Sequence, residues 1–406
     1  MVVIEVPGSK SITHRALVLA AASDQPCTVS GALRSDDTDA TLHCLQELGA
    51  DVVHEGTTLR FEPGPPRRPD GPLDCRNAGT GLRLLMAQAA LREDPITLTG
   101  DASLRSRPNG PLLEALRHLG VQVQGGPEAP VTVQGPVRPG SITLEGKTSS
   151  QFTSALLLAL PQVAGASDIE VMPPVGSGPY LDLTLDAAGA FCLGIEEIEA
   201  AGRRFRIAGH QRPSASHFEV EADWSTAAFP LVAGALLGEA RVSGLSAESR
   251  QGDRRILSLL RAFGAHVEVG STVRVRQGDL ASPGAIDVAA TPDLFPILAV
   301  LAAASTGTTT FTGGAALRHK ESDRIRAMAD GLSQLGVRVE ERPDGLVVHG
   351  GPIGGGTVAS HGDHRIHMAF AIAGRVATGP VEVDQPACVA VSYPQFHDHL
   401  NLLESS

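Results

Sequence analysis

The sequence predicts an α/β protein built from six repeated helix-and-strand units divided between two domains. Three observations carry that prediction. A Leu-Gly or Phe-Gly signature closing a helical pattern recurs at Gly49, Gly120, Gly194, Gly264 and Gly336, in steps of 71, 74, 70 and 72 residues. Near-constant steps of this kind mark a structural repeat. A polar cluster followed by a strongly apolar stretch recurs six times, out of phase with the glycines. One strand pattern, residues 2–6, stands outside the six and must complete a unit elsewhere in the chain.

Each part of the unit has a local reason. Glycine just past a helix end supplies the left-handed cap. The alternation after it, in LGADV, LGVQV, LGIEE, FGAHV and LGVRV, starts a strand. The apolar stretches are SKSITHRALVLAAAS from Ser9, NAGTGLRLLMAQAAL from Asn77, TSSQFTSALLLALP from Thr148, DWSTAAFPLVAGALL from Asp223, PDLFPILAVLAAAS from Pro292 and GDHRIHMAFAIAG from Gly362. Their polar openings read as capped helix starts. Their apolar faces are too wide for surface helices, so all six are expected in the core. Six such helices against five glycine signatures suggests a last unit cut short at YPQFHDHLNLL, which the N-terminal strand could complete. Both chain ends then belong to one domain, with two linkers crossing to the other. A plain solenoid is the alternative, but it would need polar capping units that the sequence lacks.

Composition narrows the function. The 406 residues carry a formal net charge of −12 and 14 aromatic side chains, which excludes a nucleic-acid partner recognised through phosphates or base stacking. Five scattered cysteines with no C-x-x-C spacing give neither a disulfide framework nor a cysteine metal site. The opening MVVIEVPGSK does not read as a secretory leader, and no apolar run approaches the ~20 residues of a membrane span. A cytoplasmic protein without a membrane partner is expected.

Within this acidic chain, cations gather at the helix openings: Lys10, Arg15, Arg83, Arg107, Lys320, Arg324 and Arg365. Helix N-termini carry unpaired N–H groups and partial positive charge, so the combination predicts a small, multiply anionic ligand. Each motif also has a plainer reading. PGSKSITHRA (7–16) is either a capped helix with solvated cations or a grip on phosphate and carboxylate. GKTSSQ (146–151) fails the phosphate-loop spacing, because Ser141 stands where that motif needs glycine. Its hydroxyls and amide still suit a phosphate or a sugar-like ring. KESDR (320–324) is either a surface ion-pair ladder or a frame for Glu321 as a proton-transfer group. Asp293 either caps a helix or serves as a general base beside buried surface. His361, His364 and His367 stand in steps of three that fan around a helix, and no acidic ligand helps on that face, so no metal is expected.

Taken together, PGSKSITHRA, NAGTGLR, RPNGPL, TSSQFTSALL, SGPYLDLT, PDLFPI, KESDRI and DHRIHMAF resemble the 5-enolpyruvylshikimate-3-phosphate synthase family, in its order and over nearly the whole chain. The resemblance implies a two-domain inside-out α/β barrel of six βαβαββ repeats, three per domain. It places the first lobe at 9–221 and the second at 1–8 with 222–406. It also implies enolpyruvyl transfer from phosphoenolpyruvate to the 5-hydroxyl of shikimate 3-phosphate, with no cofactor, in a monomer that closes around its substrates.

Matched residue by residue, Lys10, Ser11, Arg15, Ser149, Ser150, Gln151, Ser177, Asp293 and Lys320 would hold shikimate 3-phosphate. Lys10, Gly79, Arg107, Gln151, Arg324 and Arg365 would hold phosphoenolpyruvate. Asp293 resembles the family's proton acceptor and Glu321 its proton donor, with Lys10 touching both substrates. Two positions depart from the pattern: Val391 replaces a common Lys, and Ala316 an Asn found in some members. A related family acting on UDP-N-acetylglucosamine shares the repeats. Its members usually carry a cysteine in the loop that here reads GDASLRSRP. A non-catalytic anion-binding scaffold is a third reading, and the pair Asp293 and Glu321 argues against it.

Overall fold

The computed structural model describes residues 2–147 and 149–404; Thr148, the first residue of one apolar stretch, lies outside them. Two compact units divide the chain. One is the continuous segment Gly8–Val220. The other joins the chain up to Pro7 with the chain from Glu221 onward. Each unit has its own apolar core.

In the Gly8–Val220 unit, three four-stranded sheets share one order. Strand Leu73–Asp74 runs parallel to Ile96–Thr99, and the hairpin Gln122–Gln124 and Val131–Gln134 follows on the far side. Strand Ser141–Glu145 pairs in the same way with Ser167–Met172 and its hairpin. The remaining sheet lacks a parallel strand from its own stretch of chain. Strand His217–Glu219, at the end of the unit, pairs in parallel with Cys27–Ser30 and supplies it. The three apolar stretches become helices Lys10–Ala21, Gly79–Ala89 and Ser150–Ala159, all packed in the core.

The second unit repeats the pattern with one correction to the sequence reading. The N-terminal strand does not complete the last repeat. Strand Ile4–Glu5 pairs in parallel with Glu239–Ser243, so Ile4 faces Val242 and the first sheet of this unit is closed. The last repeat remains a two-stranded sheet, Gly356–Val358 beside Val381–Val383, and helix Phe396–Glu404 follows it. The reason is symmetry of need: the strand missing its partner is the one whose repeat begins just after the crossing. Helices Trp224–Leu237, Phe295–Ala303 and His364–Val376 fill the core. No helix among the described residues is long and apolar enough to cross a membrane.

Four of the five signature glycines adopt positive φ: Gly49, Gly120, Gly264 and Gly336. Gly194 does not. Helix Gly178–Ala190 ends two residues sooner, and Cys192 takes the left-handed turn at φ 59°. Phe191-Cys192 is therefore the true counterpart of the Leu-Gly pair in that repeat.

Candidate functional site

In the Gly8–Val220 unit, Lys10 is the first residue of its helix, with Ser9 as the extended cap before it. Its Nζ lies 2.8 Å from Asp37 Oδ2, and Asp37 is itself buried. Lys10 therefore sits at the helix mouth, held by a carboxylate at the start of helix Asp36–Glu47. One turn on, His14 is fully buried beside Thr41. Burial, with Lys10 and Arg15 nearby, drives its pKa down to about 3, so the ring is neutral.

Arg15 has the sequence position of a substrate contact, but the fold gives it internal work. Nε donates to Thr184 Oγ1 at 2.8 Å and Nη1 to the Ser11 carbonyl at 2.7 Å. Nη2 donates to Ser154 Oγ and to the Tyr180 carbonyl. Four of its N–H groups are thus engaged inside the protein, leaving one. Burial lowers its pKa to about 10, which still leaves it charged.

A second group forms around the start of helix Gly79–Ala89. Arg83, buried, donates through Nε to Asn109 Oδ1 at 3.0 Å and through Nη1 to Gln151 Oε1. Its guanidinium lies over the Phe152 ring, 5.2 Å from the centroid. Gln151 Nε2 donates in turn to Thr80 Oγ1 at 2.9 Å. Arg107 is also buried, and its contacts are Asn77 Oδ1 at 2.5 Å, the Asn77 carbonyl and Ser103 Oγ. Among the described residues its Nε has no hydrogen-bond partner and no carboxylate pairs with it. A buried cation without a counter-charge is costly, and an incoming anion relieves that cost. Gly79 separates the two arginines: a Cβ there would lie 3.1 Å from Arg107 Nη1 and 3.3 Å from Arg83 Nη1.

The hydroxyls expected at the site are arranged separately. Ser149 caps helix Ser150–Ala159 by accepting from the Gln151 N–H, and Ser150 is the buried first residue of that helix. Ser177, in the left-handed region at φ 55°, precedes helix Gly178–Ala190. A non-glycine residue in that conformation is strained, and such strain concentrates at functional positions.

In the other unit, Arg324 is the centre of an ion-pair network. It is 1% exposed and is the first residue of helix Arg324–Gln334. Nε lies 2.8 Å from Asp363 Oδ2, Nη1 2.8 Å from Asp293 Oδ1 and Nη2 2.7 Å from Glu321 Oε2. Burial opposes its charge, but Asp363, Glu321 and Asp293 outweigh that, so its pKa stands above the ordinary arginine value. Asp293 Oδ1 also meets Lys320 Nζ at 3.5 Å and Arg365 Nε at 3.8 Å. Asp363, wholly buried, caps helix His364–Val376 and accepts from the Arg365 N–H and from Ser322 Oγ. One guanidinium therefore fixes three helix starts and orients both carboxylates singled out in the sequence.

The structure thus brings Asp293, Lys320, Glu321, Arg324 and Arg365 together, and separately Gly79, Arg107 and Gln151. Sequence reasoning missed Asp37, Asn77, Asn109 and Asp363 as partners, and left Arg83 without a role. All but Asp37 lay inside quoted motifs, Asn77 and Arg83 in NAGTGLR, Asn109 in RPNGPL and Asp363 in GDHRIH, and that adjacency was the available signal. Val391, in place of the common lysine, lies in the 3-10 turn Pro386–Val391, and exposed Ala316 lies in the turn Ala315–His319.

Comparison with known proteins bears on these clusters. The family model for EPSP synthase (3-phosphoshikimate 1-carboxyvinyltransferase) matches residues 2–400. The 3-phosphoshikimate 1-carboxyvinyltransferase of Methanothrix thermoacetophila is 44% identical, over 98% of this chain and 94% of the relative. That of Halobacterium salinarum is 42% identical, over 97% and 94%. Among solved structures, an EPSP synthase from Acinetobacter baumannii matches with a TM-score of 0.79 at 28% identity, covering 98% of this chain and 95% of that one.

Proposed function

The chain belongs to the EPSP synthase family, and we infer from that membership and from the two clusters that it transfers the enolpyruvyl group of phosphoenolpyruvate to the 5-hydroxyl of shikimate 3-phosphate, releasing phosphate. It is a transferase of aromatic amino-acid biosynthesis with two small anionic substrates. The observation that carries the site assignment is Arg107: a buried guanidinium without a carboxylate partner among the described residues, beside a glycine whose missing side chain leaves room for a ligand.

The chemistry explains the residue types. A proton added to the methylene carbon of phosphoenolpyruvate leaves positive charge on the adjacent carbon. The substrate hydroxyl attacks that carbon as its own proton passes to a base. The tetrahedral adduct then loses phosphate, and the methyl group returns a proton to restore the double bond. Lys10, Gly79, Arg107, Gln151, Arg324 and Arg365 are proposed to meet phosphoenolpyruvate. Lys10, Ser11, Arg15, Ser149, Ser150, Gln151, Ser177, Asp293 and Lys320 are proposed to meet shikimate 3-phosphate. Arg15 contributes its one remaining N–H and otherwise braces the helix that carries Lys10. Asp293 is proposed as proton acceptor and Glu321 as donor, both held in place by Arg324. Fixed cations that stabilise developing charge need no reorganisation as the reaction proceeds.

The protein is also proposed to act as a cytoplasmic monomer without a nucleic-acid partner. The net charge of −12 and the scattering of its exposed large apolar side chains, Val3, Val53, Met172, Val269 and Leu402, support that reading. The addition–elimination route is tested with phosphoenolpyruvate carrying 18O in the bridging position. The label is expected in released phosphate, because the C–O bond breaks; label retained in the organic product contradicts the route. A second expectation concerns Gly79→Ala. Its Cβ crowds both guanidiniums, so KM for phosphoenolpyruvate should rise about tenfold, a loss of ~1.4 kcal/mol, with the melting temperature little changed. An unaltered KM would remove Gly79 from the ligand's surroundings.

A further inference from the structure

We propose that Asn77 is a positioning residue for phosphoenolpyruvate: its side-chain amide tethers the Arg107 guanidinium through a neutral acceptor, and Asp101 locks that amide, so the arginine is oriented without being neutralised. The proposal rests on the transfer reading and deepens it.

Asn77 stands between strand Leu73–Asp74 and helix Gly79–Ala89. Its Oδ1 accepts from Arg107 Nη2 at 2.5 Å, and its Nδ2 donates to Asp101 Oδ2 at 2.7 Å. Only one orientation of the amide bridges this pair, because a guanidinium only donates and a carboxylate only accepts. Asp101 is fixed in turn. Its Oδ1 accepts from the Leu104 N–H at 2.7 Å, capping the short helix Ala102–Arg105, and its own N–H donates to the Arg76 carbonyl at 2.8 Å. Arg76 takes the left-handed conformation at φ 48°, with its N–H donated to Asp74 Oδ1 at 2.9 Å. Gly100 lets the two loops approach, since a Cβ there would lie 2.5 Å from the Arg76 carbonyl oxygen. A non-glycine residue held in that strained conformation directly before Asn77 fits a loop whose side chain must be aimed.

Among the described residues, every acceptor on Arg107 is uncharged: the Asn77 amide, the Asn77 carbonyl at 3.4 Å and the Ser103 hydroxyl at 3.0 Å. They engage both N–H groups of Nη2 and one of Nη1, which leaves Nε and the other N–H of Nη1 for an anion. A carboxylate in place of the Asn77 amide would orient the guanidinium equally well, but it would compete with the entering anion for the same charge. The amide keeps the charge of Asp101 one side chain away from the cation.

Exchanging the two side chains separates orientation from charge. In the double variant Asn77→Asp with Asp101→Asn, the total charge is unchanged and each hydrogen bond still has a donor and an acceptor. Asparagine also caps a helix as well as aspartate does. Only the carboxylate has moved, onto Arg107. KM for phosphoenolpyruvate should rise about tenfold, within the range of close charge pairs, while KM for shikimate 3-phosphate stays within about twofold. The melting temperature should move by less than about 3 °C. A purely structural role for the bridge would leave both KM values at wild type, and an unchanged KM for phosphoenolpyruvate overturns the proposal. Asp101→Asn alone is the second variant, and it serves if the exchanged protein does not fold. Its capping oxygen stays on Leu104, so its NH2 group faces Asn77 Nδ2, and the amide must turn over and present a donor to Arg107. KM for phosphoenolpyruvate should then rise about fivefold, the cost of one lost hydrogen bond, and no rise overturns the lock. If no form releases phosphate, wild type included, the transfer reading fails instead. The tether is then decided by calorimetry with inorganic phosphate. Binding about tenfold weaker in the exchanged protein supports it, and equal or undetectable binding in both overturns it.

Discussion

Replacing Asp293 by Ala, or Glu321 by Gln, is expected to lower turnover by ~100-fold or more with the fold intact, within the range that general acid–base groups contribute. The expectation follows from geometry. Both carboxylates accept from one guanidinium, Arg324, at 2.8 and 2.7 Å, and both retain partial exposure at 15% and 17%. They are placed to exchange protons with a ligand while their orientation is fixed from behind. Steady-state kinetics with both substrates reads the effect, and circular dichroism checks the fold. Because the two carboxylates share Arg324, the double variant should lose less than the product of the single losses. A drop of under tenfold in both single variants would leave these residues a binding role alone.

Arg324→Met should be the most damaging single change to stability in the second unit. Asp363 is wholly buried and receives Nε and Nη2 of Arg324 at 2.8 and 3.2 Å. Removing the guanidinium leaves that carboxylate buried with its main counter-charge gone, a loss of about 3–5 kcal/mol for a broken buried pair. It also releases Asp293 and Glu321, so activity should fall with stability. Urea unfolding measures the first effect. A loss below about 1 kcal/mol would mean that the network holds little of the fold together. Arg324→Lys should recover only part of the loss, since an ammonium cannot serve three carboxylates from one planar fork.

Much of this architecture was legible in the sequence because repetition exposes it. The six apolar stretches become six core helices, and four of the five signature glycines take the left-handed cap. Gly194 misled because the local string LGIEE imitates the signature, while the helix before it ends at Ala190 and Cys192 makes the turn. The N-terminal strand was recognised as an orphan, but its partner, Glu239–Ser243, is more than 230 residues away and no local pattern names it. In the site, the residues expected to meet ligand were named from the motifs. The residues that hold them, Asn77, Asn109 and Asp363, stand in the same motifs but were passed over, because the contact between Arg107 and Asn77 spans 30 positions and that between Arg324 and Asp363 spans 39.

This chain is expected to join two particular anions with loss of phosphate. Phosphate release by the purified protein, followed with phosphoenolpyruvate and shikimate 3-phosphate each alone, then together, and finally with UDP-N-acetylglucosamine in place of shikimate 3-phosphate, tests it most directly. Release with the first pair together and in no other case is the predicted result. Silence with that pair, or release with the nucleotide sugar, would contradict it.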